Sequence, residues 1–197
     1  KQRFRTTVPG GVILSTPSQI DFDRDRLRPL LDSGSSMFQL VSYEWERVDG
    51  ALITAAMRMG RTLYKWSGAR RLQVWNLSES RFDVVDEMMP VELLEWFRDL
   101  EEKAILLLED GHMLLDQSNT ERGFIIWWLR ELARMTKSEN KCMILGTVTP
   151  TTILELDKEM PIIELDLPRR HTLGIIFDDV VEEAGLLPHQ IEKSEAL

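Results

Sequence analysis

Five short apolar runs punctuate the chain: "MFQLVS" from Met37, "TLYKW" from Thr62, "AILLL" from Ala104, "CMILGTV" from Cys142 and "PIIELDL" from Pro161. Each is apolar on successive positions, as a strand buried on both faces requires. Between them the apolar residues return every three or four positions. In "YEWERVDGALITAAMRMG" the stripe is Trp45, Val48, Leu52, Ala55 and Met59, with Ser42 predicted as its cap and Gly60 as its end. In "PVELLEWFRDLEEK" it is Val91, Leu94, Phe97 and Leu100, with Pro90 starting the helix. Ser118 and Glu121 stand at capping-box spacing ahead of "RGFIIWWLRELARM". A short helix is expected over "TTILELDKEM". A last one carries Leu173, Ile176, Phe177, Val180, Val181 and Ala184 and ends at Gly185. Buried strands alternating with amphipathic helices predict a three-layer α/β domain around a mostly parallel, five-stranded sheet.

The pattern breaks in three places. Residues 1–36 mix turn formers with alternating charge and read as an arm or linker, so the domain is expected over residues 37–186. Residues 67–89 hold two extended pieces, "RLQVW" and "RFDVVD", and read as an inserted hairpin or edge strands. Residues 187–197 read as a polar tail. The chain starts at Lys1, so it reads as a processed product or a piece of something longer.

Composition narrows the partners. Of 197 residues 43% are hydrophobic, and no apolar run reaches the roughly 18 residues of a membrane span. With no secretory pattern at the start, the expected location is cytoplasmic. Acidic residues outnumber basic ones 33 to 24, for a net charge of −9, which disfavours nucleic acid and anionic lipid as partners. The single cysteine, Cys142, lies in a buried strand and reads as an inert thiol.

The order of elements, with "ILLLED" on the third strand and "CMILGTVTP" on the fourth, resembles the core of an AAA+ ATPase. More narrowly, "LVSYEWERVDGALITAAMRMGRTLYKWS", "ILLLEDGHMLLD" and "LRELARMTKSENKCMILGTVTPTTILELDKEMPIIELDLP" resemble the degenerate N-terminal ATPase-like domain of a tandem AAA+ family found in cyanobacteria, chloroplast genomes and other bacteria. The resemblance covers residues 37–186. It implies a P-loop/AAA+-like fold, acids of the Walker B type at Glu109 or Asp110, a sensor-like Thr147, and an intact ATPase domain elsewhere. It also implies protein partners or a homo-oligomer, with an AAA+ ring as one form.

One part of the machinery is missing. A phosphate loop G-x-x-x-x-G-K-[ST] belongs between the first strand and its helix, where backbone N–H groups and a lysine cradle the phosphates. That segment here is "LVSYEWERVDG", without a lysine and without a glycine before Gly50. Glu44 and Glu46 occupy the place where an anion would sit. The expected function is therefore a non-hydrolysing assembly, regulatory or partner-binding module, with ATP and magnesium confined to an associated or parent domain.

Other candidate sites compete with this reading. Glu109 and Asp110 are candidate metal ligands, as hard cations take carboxylate oxygens, and they define the rival reading of a divergent ATPase or metal-dependent phosphotransferase. That rival would use "WSGARR" as its phosphate loop, with Arg70 and Arg71 as anion contacts. Arg169 and Arg170 are further candidates after the fifth strand. His112 with Asp110 and Asp116 fits no strong metal spacing. The helix "FIIWWLREL" is apolar on every face, so some of its side chains must meet something beyond the sheet, with Phe124, Trp127 and Trp128 the interface candidates. The alternatives are the arm, the 67–89 insertion, or a partner interface.

Overall fold

A computed structural model describes residues 6–8, 11–13, 26–135 and 140–165, together with positions 170, 173, 174, 177, 178 and 181. Two short strands near the start, β1 (Thr6–Val8) and β2 (Gly11–Ile13), pair antiparallel with each other. A one-and-a-half-turn helix, α1 (Arg28–Asp32), leads into β3 (Met37–Val41). The chain continues through α2 (Trp45–Met59), β4 (Thr62–Ser67), β5 (Arg71–Asn76), β6 (Arg81–Asp86), α3 (Pro90–Asp99) and β7 (Ala104–Leu108). After it come α4 (Gly111–Leu114), α5 (Arg122–Met135), β8 (Cys142–Thr147), a 3₁₀ turn (Leu154–Leu156) and β9 (Ile162–Glu164).

The strands β3 to β9 form one sheet in the order β6-β5-β4-β7-β8-β3-β9. The five expected strands are its parallel part, since β3 pairs parallel with β8 and β9, and β7 pairs parallel with β4 and β8. The sheet has seven strands rather than five because β5 and β6, the 67–89 insertion, add an antiparallel hairpin to the β4 edge.

Strand alternation sends successive side chains to opposite faces, and each face has its own core. On β7, Ala104, Leu106 and Leu108 meet Leu93, Leu94 and Phe97 of α3 and Ile125, Trp128, Leu129 and Leu132 of α5. Ile105 and Leu107 point the other way, to Val48, Leu52, Ala55 and Ala56 of α2. Leu27 and Leu31 join that second core and are fully buried. Residues 26–36, read from the sequence as part of the arm, therefore pack with the domain: Leu27, Leu30 and Leu31 stand at helical spacing, but over barely more than one turn and among alternating charges.

Two caps differ from expectation. Gly60 does end α2 in the left-handed conformation, at φ 60°. Ser42, however, lies outside that helix, where its Oγ accepts from the Glu44 N–H (2.9 Å), and Glu44 takes the cap position. The Ser118 N–H donates to Asp116 Oδ1 (2.8 Å), as does its hydroxyl, and the Glu121 N–H donates to Asn119 Oδ1, so the expected capping box gives way to two Asx turns before α5. The helix expected over "TTILELDKEM" shrinks to a single 3₁₀ turn. The last expected helix lies largely outside the described residues, although 173, 174, 177 and 178 are helical.

Candidate functional site

Adjacent β3 and β8 send their onward connections in opposite directions, β3 through α2 to β4 and β8 through the 3₁₀ turn to β9. In an open α/β sheet the crevice outside the carboxyl ends of such a pair is where ligands bind. Here the mouth is stitched by the Ser42 N–H, which donates to Thr147 O (2.9 Å). Trp45, the first residue of α2, lays its indole on the backbone of Gly146. A Cβ at position 146 would stand 2.9 Å from two of its ring carbons. Arg47 bonds the Glu44 carboxylate one turn back, and Glu46 adds another carboxylate to the first turn of α2. This end of α2 offers an incoming phosphate an indole and two carboxylates, with the Arg47 guanidinium already engaged by one of them.

The sensor-like Thr147 is fully buried in the same place. Its hydroxyl shares a 3.1 Å hydrogen bond with the Gln39 amide, which also bonds the Thr151 backbone. It thus belongs to a polar brace between β3 and β8.

The candidate acids part company. Glu109 follows β7 and is buried, while Asp110 is exposed in the left-handed conformation, φ 54°, as the residue before α4. Glu109 lies 3.6 Å from the ammonium of Lys65, a buried lysine on β4. Lys65 donates to Asp49 Oδ2 on α2 at 2.6 Å, and its Nζ stands 4.1 Å from the centroid of the Phe82 ring. Burial raises the pKa of both Asp49 and Glu109, and the Lys65 charge opposes the rise in each. A resident ammonium thus stands between two carboxylates and an aromatic face, hydrogen-bonded to Asp49 and within ion-pair range of the acid at the end of the central strand.

Arg70 also lowers both carboxylates through its charge, so one of the proposed anion contacts faces this acidic pair. Arg71 lies 3.9 Å from Glu87. Arg170 is exposed, and Arg169 lies outside the described residues. Asp116 is engaged by Ser118, and His112 is partly buried on α4 with no hydrogen-bond partner for Nδ1. Among the described residues no three His, Cys, Asp or Glu side chains gather in a group fit to hold a metal ion. Cys142 is buried in β8, and burial pushes its thiol up to about 12, as expected of an inert group.

On α5 the three aromatics separate. Trp128 is 8% exposed and packs in the core with Arg98 over its ring, so it is withdrawn from the interface set. Phe124 is 69% and Trp127 56% exposed. The 67–89 segment, offered as their cover, instead extends the sheet.

Sequence reasoning found Glu109 and missed Lys65, Asp49, Gln39 and the role of Trp45. The one usable signal was a lysine inside the buried strand "TLYKW", which demands an internal counter-charge.

Residues 23–165 match the family described as SpoVK-like AAA ATPase, N-terminal domain. The chain belongs to that family. The structure of this SpoVK-like N-terminal domain is also similar to one described as the crystal structure of a DNA replication initiation factor. The TM-score is 0.52 at 12% identity, over 93% of this chain and 54% of that one. The chain thus spans about half the length of that structure, and the likeness is one of fold. No curated protein matches the chain. Together these show an AAA+ ATPase-like domain with a P-loop-like fold. No helix among the described residues is long and apolar enough to cross a membrane.

Proposed function

We propose that this domain does not hydrolyse nucleotide and serves as an assembly, regulatory or partner-binding module of an AAA+ ATPase. The observation that carries this is the occupied crevice at β3 and β8, where Trp45 packs on Gly146 and carboxylates line the first turn of α2. A triphosphate needs open backbone N–H groups and a mobile lysine there. The nearby Lys65 is committed instead to Asp49 and Glu109. Glu109 is already in ion-pair range of Lys65 and its neighbour Asp110 is exposed, which disfavours their acting as a carboxylate pair for magnesium. ATP and magnesium belong, in this reading, to an associated or parent ATPase domain, and the exposed Phe124 and Trp127 serve a protein partner.

Calorimetric titration of the chain with ATP and Mg²⁺ is expected to give no binding heat. Saturable binding would overturn the reading, and its loss in Glu109→Gln would establish the rival, a divergent ATPase or phosphotransferase working through Glu109.

A further inference from the structure

The outer side of α5 has two chemical halves. At about 100° per residue, Phe124, Trp127, Arg130, Glu131 and Arg134 fall along one side of the helix, all exposed except the half-buried Glu131. The first half is aromatic. Phe124 and Trp127 flank a shallow groove of about 510 Å³ that Thr120 and Gly123 complete. A Cβ at Gly123 would meet nothing within 4 Å, and an exposed helical glycine costs about 1 kcal/mol relative to alanine, so this notch is open at the expense of helix stability. The Trp127 indole meets the buried Trp128 edge to face, with centroids 4.9 Å apart, which fixes how it is presented. The second half is cationic, with Arg130 and Arg134 exposed and Glu131 4.0 Å from Arg134.

Arginine stacks on aromatic rings, and the inner side of this helix already shows the pairing: the Arg98 guanidinium lies 5.0 Å from the Trp128 ring centroid. On the outer side, Phe124 and Arg134 are about 15 Å apart along the axis, too far to pair within one helix. A second copy of the helix removes that obstacle. Laid antiparallel about a two-fold axis level with residue 129, it brings Arg134 of each copy to Phe124 and the Gly123 notch of the other, and Arg130 to Trp127. Each pairing then occurs twice. Glu131 stands beside the axis, where it offsets the two Arg130 charges, and the helix dipoles oppose each other favourably. A partner apolar throughout would leave both guanidinium groups without a counterpart.

The geometry points to a two-fold contact in which this face of α5 packs antiparallel on the same face of a second copy. The inference rests on the partner-binding reading above and names the partner. The contact is isologous, so it closes at two chains, where a head-to-tail contact would run on into a ring or filament. Four aromatic rings, each burying about 150–250 Å² when fully enclosed, place it at the small end of specific interfaces, so the dimer is a reversible one.

Sedimentation velocity on the full chain over a range of concentrations tests it. A monomer–dimer equilibrium is expected, with a plateau at twice the chain mass. Gly123→Gln fills the groove and should weaken dimerisation by about tenfold or more, while thermal stability stays equal or rises because the glycine disfavours the helix. A chain without the rings, Phe124→Ser with Trp127→Ser, and a chain without the guanidinium groups, Arg130→Ser with Arg134→Ser, should each be monomeric with unchanged circular dichroism. Their equimolar mixture should form a mixed dimer, weaker than wild type because only one of the two sets of ring–guanidinium pairs is restored. A wild-type chain that stays monomeric, species beyond the dimer, a Gly123→Gln chain that dimerises like wild type, or a mixture that stays monomeric overturns the proposal. No arm contains nucleotide, so a monomeric chain that gives no heat with ATP would sink the dimer and leave the non-hydrolysing reading standing.

Discussion

Lys65 sits between Tyr64 and Trp66 on a buried strand, and its ammonium is closed in by Asp49, Glu109 and the Phe82 ring. The sign of the resulting pH dependence follows from Asp49 and Glu109, whose pKa values are raised chiefly by burial. A carboxyl that holds its proton more tightly in the folded state contributes stability below its unfolded pKa and loses it as pH rises through the folded one. These two groups therefore work against the usual acid destabilisation just above the ordinary carboxylate range. Glu109→Gln should flatten that part of the melting-temperature profile and leave stability at pH 7 equal or higher. Lys65→Met should cost about 3 kcal/mol at pH 7, because two buried carboxylates then face each other, and should regain stability on acidification. A profile unchanged in both variants would mean that the cluster is hydrated and weakly coupled. Glu109 was legible in the sequence because it ends an apolar run. Its partners were not, because a counter-ion on a neighbouring strand or an overlying helix leaves no local pattern.

Among the elements, α2 and β8 are joined by a contact with a clear energetic signature. Gly146→Ala drives a methyl group into the Trp45 indole and should cost about 1–3 kcal/mol. In a Trp45→Ala background the same change should cost at least about 1 kcal/mol less, as read by denaturant unfolding of the four-member cycle. Additive costs would show that the indole does not rest on Gly146. The existence and order of these elements were plain from periodicity, and Gly60 and Pro90 marked their boundaries correctly. Ser118 misled because an acid two residues before it, Asp116, competes for its hydroxyl. A capping motif read from spacing alone does not register such a rival acceptor.

At the scale of the molecule, the domain begins before the first strand of its main sheet. Leu27 and Leu31 fill the α2 side of the core, and Ser36 ties the segment to the far side of the sheet through Ala133 O (2.6 Å). Leu31→Ala should therefore cost about 2–5 kcal/mol in a single cooperative transition. A loss under about 0.5 kcal/mol, the scale of a surface change, would return residues 26–36 to the arm. The family match, which begins at residue 23, includes this helix. The hairpin at the opposite edge widens the sheet without covering α5, and Phe124 and Trp127 are exposed.

What the sequence determined by itself was whatever repeats along the chain: the parallel strands, their helices and the fold family. All of these are patterns of neighbouring residues. What only the tertiary structure decided was which charges pair with one another, which tryptophan packs against Gly146 and which stays in water. Those are matters of distance between residues far apart in sequence, and they are fixed only when the strands take their order in the sheet.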